Sequence, residues 1–203
     1  RYYTVWVYND ANQYSDAANK KQITASASAF KIYGVKIDTT NSNPKTAVTY
    51  TDDAVGFTPA FCNNGNWQMG SWENKFPYDQ IKPCLFKNGV VNYYLNPNDY
   101  IKKLDGSVAN ITSGNDGDVM VEFPKIYWKF ETIGTDLYVR YSDVQIDSGY
   151  KCLAHTVGTT IKDKIYISAY RGFSTGGKLR SLSGKLPTGN QTIGQFRTLA
   201  QSN

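Results

Sequence analysis

The chain has 203 residues with 40% hydrophobic content and a formal net charge of +5, enough for one large domain or a domain with a small appendage. Lysines and arginines are scattered among acids with no basic tail or Arg-rich helix, which argues against nucleic acid. No apolar run approaches the roughly 20 residues that cross a bilayer as a helix, so membrane insertion is not expected.

Tyrosine is the outlier, at 16 residues beside 9 Phe and 4 Trp. Such richness suits β structure and polar, adaptable contact surfaces. Three cysteines, Cys62, Cys84 and Cys152, give an odd count without CxxC spacing, and reduced, partly buried thiols are expected. The chain starts at Arg1 with no methionine and no visible signal peptide, and so reads as a fragment or a processed form.

Residues 1–29 differ from the rest. Tyr3, Val5 and Val7 alternate with Tyr2, Thr4, Trp6 and Tyr8 in one aromatic-rich strand, and a small, polar, alanine-rich stretch follows. This predicts an attachment arm and linker that stays out of the main core and packs on another copy or another protein. The domain proper is expected over 30–203, opening with Ile32, Val35 and Ile37. A turn-rich DTTNSNPKT leads to a short strand over 47–51. Asp52 and Asp53 then precede Ala54-Val55-Gly56-Phe57, which reads as one helical turn with acids at its positive end.

Residues 58–77 form a loop holding Trp67 and Trp72 without periodicity. Residues 83–95 predict a hairpin turning at Asn88-Gly89, with Val91, Tyr93 and Leu95 on one side and Asn92 and Tyr94 on the other. Residues 96–117 are polar and turn-rich.

The stretch 118–143 is the expected centre of the core. Val119, Val121 and Phe123 alternate, and after Pro124 the apolar set moves to Ile126, Trp128 and Phe130. A one-residue phase change turns every side chain to the other face, so a bulge or break is expected at Pro124-Lys125. The chain then turns around Gly134, and Leu137, Val139 and Tyr141 return. Ile126, Trp128 and Phe130 are expected to be buried, with Lys125, Tyr127 and Lys129 facing Tyr138 and Arg140. Beyond it, 150–153 and 164–170 read as strands, 174–189 as a loop, and Thr192-Ile-Gly-Gln195 as the capping box of a helix.

Motifs that carry chemistry are near misses. GFSTGGKL over 172–179 follows a strand but has Leu179 where a phosphate loop needs Ser or Thr, and no helix starts there. His155, the only histidine, lies near Cys152 without further ligands at zinc spacing. The loop 113–118 lacks the terminal Glu of a calcium loop. The acidic pairs Asp52/Asp53 and Asp116/Asp118 read as cap and turn. The sequence therefore predicts no enzyme, no cofactor and no metal site. What remains is surface recognition: Trp67, Trp72, Tyr93, Tyr94 and Tyr127 lie in or beside Asn/Gly-rich loops, and aromatic faces beside amides and hydroxyls suit sugars or protein partners.

Taken together, KIYGVKIDTTNSNP, TYTDDAVGF, IKPCLFKNGVVNYYLNPNDY, GNDGDVMVEFPKIYWKFET and KLRSLSGKLPTGNQTIGQFRTLAQ resemble bacteriophage tail-fibre or baseplate receptor-binding proteins. The resemblance implies an α+β, β-rich fold, a C-type-lectin-like domain with a twisted antiparallel sheet, long loops and few helices. Residues 52–57 would form an early short helix and Thr192 onward a later one. Family members continue past that helix into a Gly- and aromatic-rich region, so the domain is expected to be incomplete at its C-terminus. The implied role is attachment to a host cell-surface glycan or protein from the virion tail. The implied partners are other tail and baseplate proteins, in a homo-oligomer that such fibres usually form as a trimer. A tail-associated carbohydrate-active enzyme and a purely structural connector are the alternatives.

Overall fold

A computed structural model describes residues 30–202, and the unit considered below begins at Ile32. The arm expected over 1–29 lies outside the described residues. Along the chain, β1 (Tyr33–Asp38) is followed by a one-turn helix α1 (Pro44–Ala47) and β2 (Val48–Asp52). The helix starts where Asn43 Oδ1 accepts from Lys45 N at 3.0 Å and Pro44 takes the first position, a cap and a pre-set φ in consecutive residues. A short hairpin of β3 (Phe61–Asn63) and β4 (Asn66–Gln68) precedes β5 (Lys82–Lys87), β6 (Val90–Asn96) and β7 (Asp99–Lys103). Then come β8 (Asp118–Pro124), β9 (Tyr127–Ile133), β10 (Asp136–Ser142), β11 (Thr156–Val157), β12 (Thr160–Ile161) and β13 (Lys164–Ser168). The hairpin β14 (Phe173–Thr175)–β15 (Lys178–Arg180) and helix α2 (Ile193–Gln201) follow. The architecture is β-rich α+β with few helices.

Two antiparallel sheets carry the unit. One has strand order β2-β1-β10-β9 and the other β13-β8-β5-β6-β7. The phase change at Pro124 is where the chain leaves one sheet for the other. β8 pairs with β5 and β13, while β9 pairs with β10. The expected break is thus a change of sheet, with Lys125 N bonding Asp163 O at 3.0 Å in the gap.

In the five-stranded sheet, Leu85, Val119 and Leu95 on one face close over Ala109 and Ile111, with Tyr93, Tyr100 and Tyr170 packed around them. The Asn88-Gly89 turn forms as expected, with φ of 53° and 82°. Pairing runs Leu85↔Tyr93 and then Phe86↔Val91, so Asn92 is the extra residue of a bulge. That puts Val91 on the Phe86 side, away from Tyr93 and Leu95. β7 arises inside the stretch expected to be irregular, because Asp99 to Lys103 gains β6 as a partner.

In the four-stranded sheet, Tyr33, Ala54 and Trp72 are buried beneath Tyr50, Phe57, Phe76 and Tyr141. Residues 52–57 do not make the expected helical turn. They form overlapping turns, with Ala54 N→Thr51 O at 3.0 Å and Phe57 N→Ala54 O at 3.0 Å, starting from Asp52 at φ 56°. The turns drive Ala54, fully buried, under the aromatic cluster.

The expected burial of Trp128 and Phe130 is reversed. Phe130 is 66% and Trp128 39% exposed, while Tyr127, just before them and on the opposite face, is buried with Tyr150 and Cys152. Trp128 stacks on Phe130, with centroids 6.3 Å apart and planes at 16°. The alternation was as expected, but the side that finds cover is set by distant chain. Residues 150–152 return against β9 through a Trp128↔Lys151 bridge and cover the Tyr127 side. The rest of that side is charged. Arg140 reaches Asp52 at 3.0 Å and Glu131 at 2.9 Å and lies over the Tyr138 ring.

The expected loop 174–189 holds the β14–β15 hairpin, whose Gly176-Gly177 turn has φ of 58° and 75°. GFSTGGKL is therefore a two-residue hairpin turn. The α2 capping box forms as expected: Gln195 N donates to Thr192 Oγ1 at 3.2 Å and Thr192 N to Gln195 Oε1 at 2.8 Å.

Candidate functional site: an aromatic finger

Asn64-Gly65, with φ of 49° and 81°, is the same turn chemistry as Asn88-Gly89 and folds 61–68 into the β3–β4 finger. Register pairs Phe61 with Gln68 and Cys62 with Trp67. The finger stands on a fixed base. Ser71 N bonds Thr58 O at 3.1 Å, and Thr58 N bonds Ser71 Oγ at 3.0 Å. Gly70 sits at φ 60°, where an added Cβ would lie 2.6 Å from Thr58 O and Pro59 O. Just beyond, Trp72 enters the core and contacts Phe57 and Tyr50 edge-on, at 4.9 and 5.6 Å between centroids. Its Nε1 donates to Tyr50 Oη at 3.2 Å.

Above that base Trp67 is 62% and Phe61 53% exposed. Trp67 Nε1 points to Met69 Sδ at 2.9 Å, which orients the indole. Residues Phe61, Asn63, Gly65, Asn66, Trp67 and Gln68 line a shallow hollow of about 480 Å³, the register placing Phe61 on the face of the three amides and Trp67 on the opposite face. Among the described residues, the side chains of Asn63, Asn66 and Gln68 make no hydrogen bond with one another or with the rest of the protein. Rigid apolar rings beside amides that can both donate and accept are the chemistry that holds a sugar ring.

The other residues singled out in the sequence do not gather there. Trp72 is buried beneath the finger and Tyr127 in the Tyr150–Cys152 cluster. Tyr93 closes the five-stranded core, its hydroxyl donating to Asp116 at 2.7 Å and accepting from Asn110 N at 3.2 Å. Burial, then the bond to Asp116, raises its pKa. Lys103 lies over its ring at 4.6 Å.

Tyr94 is on the opposite face of β6, where Glu122 is the focus. That carboxylate is 3% exposed and accepts from Lys164 Nζ at 2.6 Å, Tyr166 Oη at 3.0 Å and Tyr94 Oη at 3.1 Å. Burial works to raise the Glu122 pKa, but the bonds from Lys164, Tyr166 and Tyr94 together hold it below the ordinary value. Burial and the same carboxylate push Tyr166 up to about 12. A carboxylate so saturated is a structural tie.

The acidic pairs are similarly engaged. Asp52 holds Arg140, Asp53 Oδ2 accepts from Ile32 N at 2.9 Å, Asp116 holds Tyr93, and Asp118 holds Arg180 at 2.9 Å. His155 is buried with Nδ1 3.0 Å from Lys162 O. Of the finger, sequence reasoning finds Trp67 but not Phe61 or the three amides. The Asn64-Gly65 pair between FCN and NWQ was the available signal.

Compared with protein-family models, with curated proteins and with solved structures, the chain matches none.

Proposed function

We propose that this chain is a bacteriophage tail protein, of the tail-fibre or baseplate receptor-binding kind, with a C-type-lectin-like domain that attaches the virion to a host surface glycan. The observation that carries the reading is the finger. Two large aromatic rings are held in water on a stapled hairpin, Phe61 on the face of three unengaged amides and Trp67 on the other, at a cost in apolar exposure that a ligand gripping the finger would relieve. The run of phrases resembling tail proteins supplies the biological setting.

The test is binding of the purified chain to cell walls from a panel of bacteria, measured by co-sedimentation. Binding to a subset of walls, lost in the Trp67→Ala/Phe61→Ala double variant with folding intact, is the expected result. Equal binding by the double variant removes the finger from the attachment role.

A connector role inside the tail is favoured by a different observation. Phe130, Trp128 and Val48 are exposed apolar side chains on the part of the four-stranded sheet's aromatic face that the Tyr33–Trp72 cluster does not cover. Retention of the finger variant in assembled tails, together with exclusion of a Phe130→Lys variant, would mark that role.

A further inference from the structure

The two glycine-rich loops that resembled nucleotide and calcium sites without matching either converge on a single pocket. Its rim is the Asn88-Gly89 turn, the loop through Gly114 and Gly117, and β15. It encloses about 380 Å³. Three cations line it, Lys87, Lys178 and Arg180, against one carboxylate, Asp118. Asp118 is already engaged: Arg180 Nε donates to both its oxygens at 2.9 and 3.1 Å, and Ser181 N to Oδ1 at 2.7 Å. The nearby Asp116 carboxylate accepts from Tyr93 and does not line the pocket. Positive charge is therefore in excess.

The arrangement is built. Arg180 is also braced by the facing loop, its Nη2 donating to Gly114 O at 3.0 Å. An added Cβ at Gly114, φ 78°, would lie 2.8 Å from that nitrogen, and one at Gly117, φ 122°, would collide with Phe86 O. Both glycines let the loop close on the guanidinium and on β5. Lys87 Nζ donates to Asn115 O at 2.7 Å and keeps two further protons to give. The Lys178 residue is exposed, and its ammonium makes no hydrogen bond or ion pair among the described residues. Half-buried Phe86 and Met120 supply apolar wall between the cations.

We infer that this pocket binds a small acidic sugar, its phosphate or carboxylate oxyanion held by Lys178, Lys87 and the outer edge of Arg180 and its carbon skeleton against Phe86 and Met120. Charge-assisted bonds from several donors to one oxyanion supply the strength. The apolar wall discriminates against a bare inorganic anion. This stands on the pocket's own charge and shape and does not depend on the finger or on the tail reading.

The full chain titrated with glucose 6-phosphate, glucuronate, glucose and inorganic phosphate, followed by amide NMR shifts at low salt, tests it. Saturable shifts at Gly114, Gly117 and Lys178 are expected with either sugar acid, weakening as salt is raised. The stronger of the two identifies the preferred oxyanion. Lys178→Gln, which breaks no bond within the fold, should weaken binding roughly tenfold, about one charge-assisted hydrogen bond. Lys87→Gln should weaken it in the same sense. Glucose binding as well as the acids, inorganic phosphate matching glucose 6-phosphate, or an unchanged Lys178→Gln variant would each overturn the inference.

Discussion

Trp67 and Trp72 are five residues apart in an irregular stretch, and the structure gives them opposite roles that one pair of variants can separate. Trp72 is 9% exposed and has five aromatic rings with centroids within 6.3 Å, those of Tyr33, Tyr50, Phe57, Tyr78 and Tyr141. Replacing it with alanine leaves a cavity that the stiff rings around it cannot close. Large-aromatic truncations of this kind cost about 3–5 kcal/mol. The lost Nε1 bond to Tyr50 adds little, since that hydroxyl is half-buried and water can replace the donor. At roughly 2–4 °C per kcal/mol for a unit of this size, Trp72→Ala should lower Tm by about 6–20 °C. Trp67→Ala removes a ring that is 62% exposed and should stay within about 0.5 kcal/mol of the parent. Thermal melts followed by near-UV circular dichroism give both numbers. Comparable losses from the two variants would mean that Trp67 is covered in solution, and the finger would then not be a free binding surface.

Thiol chemistry should sort the cysteines. Cys62 is exposed, whereas Cys84 is fully buried with its pKa pushed up to about 11, and Cys152 is buried and also raised. One thiol per chain should therefore react quickly with a disulfide reagent in the native protein and three in denaturant; two fast thiols would contradict the burial. Glu122 makes stability acid-sensitive. Its folded pKa lies below the ordinary 4.5, so the stabilisation is fully present above that value and is lost as pH falls through the lower folded one. Glu122→Gln should flatten the acid limb of a urea-unfolding profile, and an unchanged limb would shift the effect elsewhere. Gly117→Ala should cost about 1–3 kcal/mol in the same assay, from its positive φ and the collision with Phe86 O. Gly134→Ala, at φ 61° in open space, should cost only about 1–2 kcal/mol.

What could be read in the sequence was local. The Thr192–Gln195 box and the Asn88-Gly89 and Gly134 turns are decided by a few adjacent residues, and each is found where expected. The break at Pro124 was legible too, because alternation and proline both register within one strand. The side of β9 that is buried was not. Tyr127 and Trp128 are both large and apolar enough to be covered, and the choice falls to Tyr150 and Cys152, more than twenty residues away. The same holds for the candidate site. Five aromatic residues beside Asn/Gly-rich loops looked equivalent, yet only Trp67 stands largely in water, because only its hairpin projects from a base tied at Thr58 and Ser71.

The near-miss motifs carry a related lesson about glycine. Gly176-Gly177 and the glycines of 113–118 sit in stretches close to nucleotide and calcium patterns, which both require particular side chains at fixed offsets. In the structure these glycines are used for backbone shape instead. One pair turns a hairpin that delivers Lys178 and Arg180 to one rim, and Gly114 and Gly117 let the facing loop approach Arg180 and Phe86 closely. The residue types that failed as a motif in each loop separately become complementary once the five-stranded sheet sets them side by side. A charge arrangement assembled from residues 87, 118, 178 and 180 has no sequence spacing to find. It depends on β8 lying beside β5 and on Val119 N bonding Ser181 O at 2.9 Å, which draws the start of β8 to the chain just after β15.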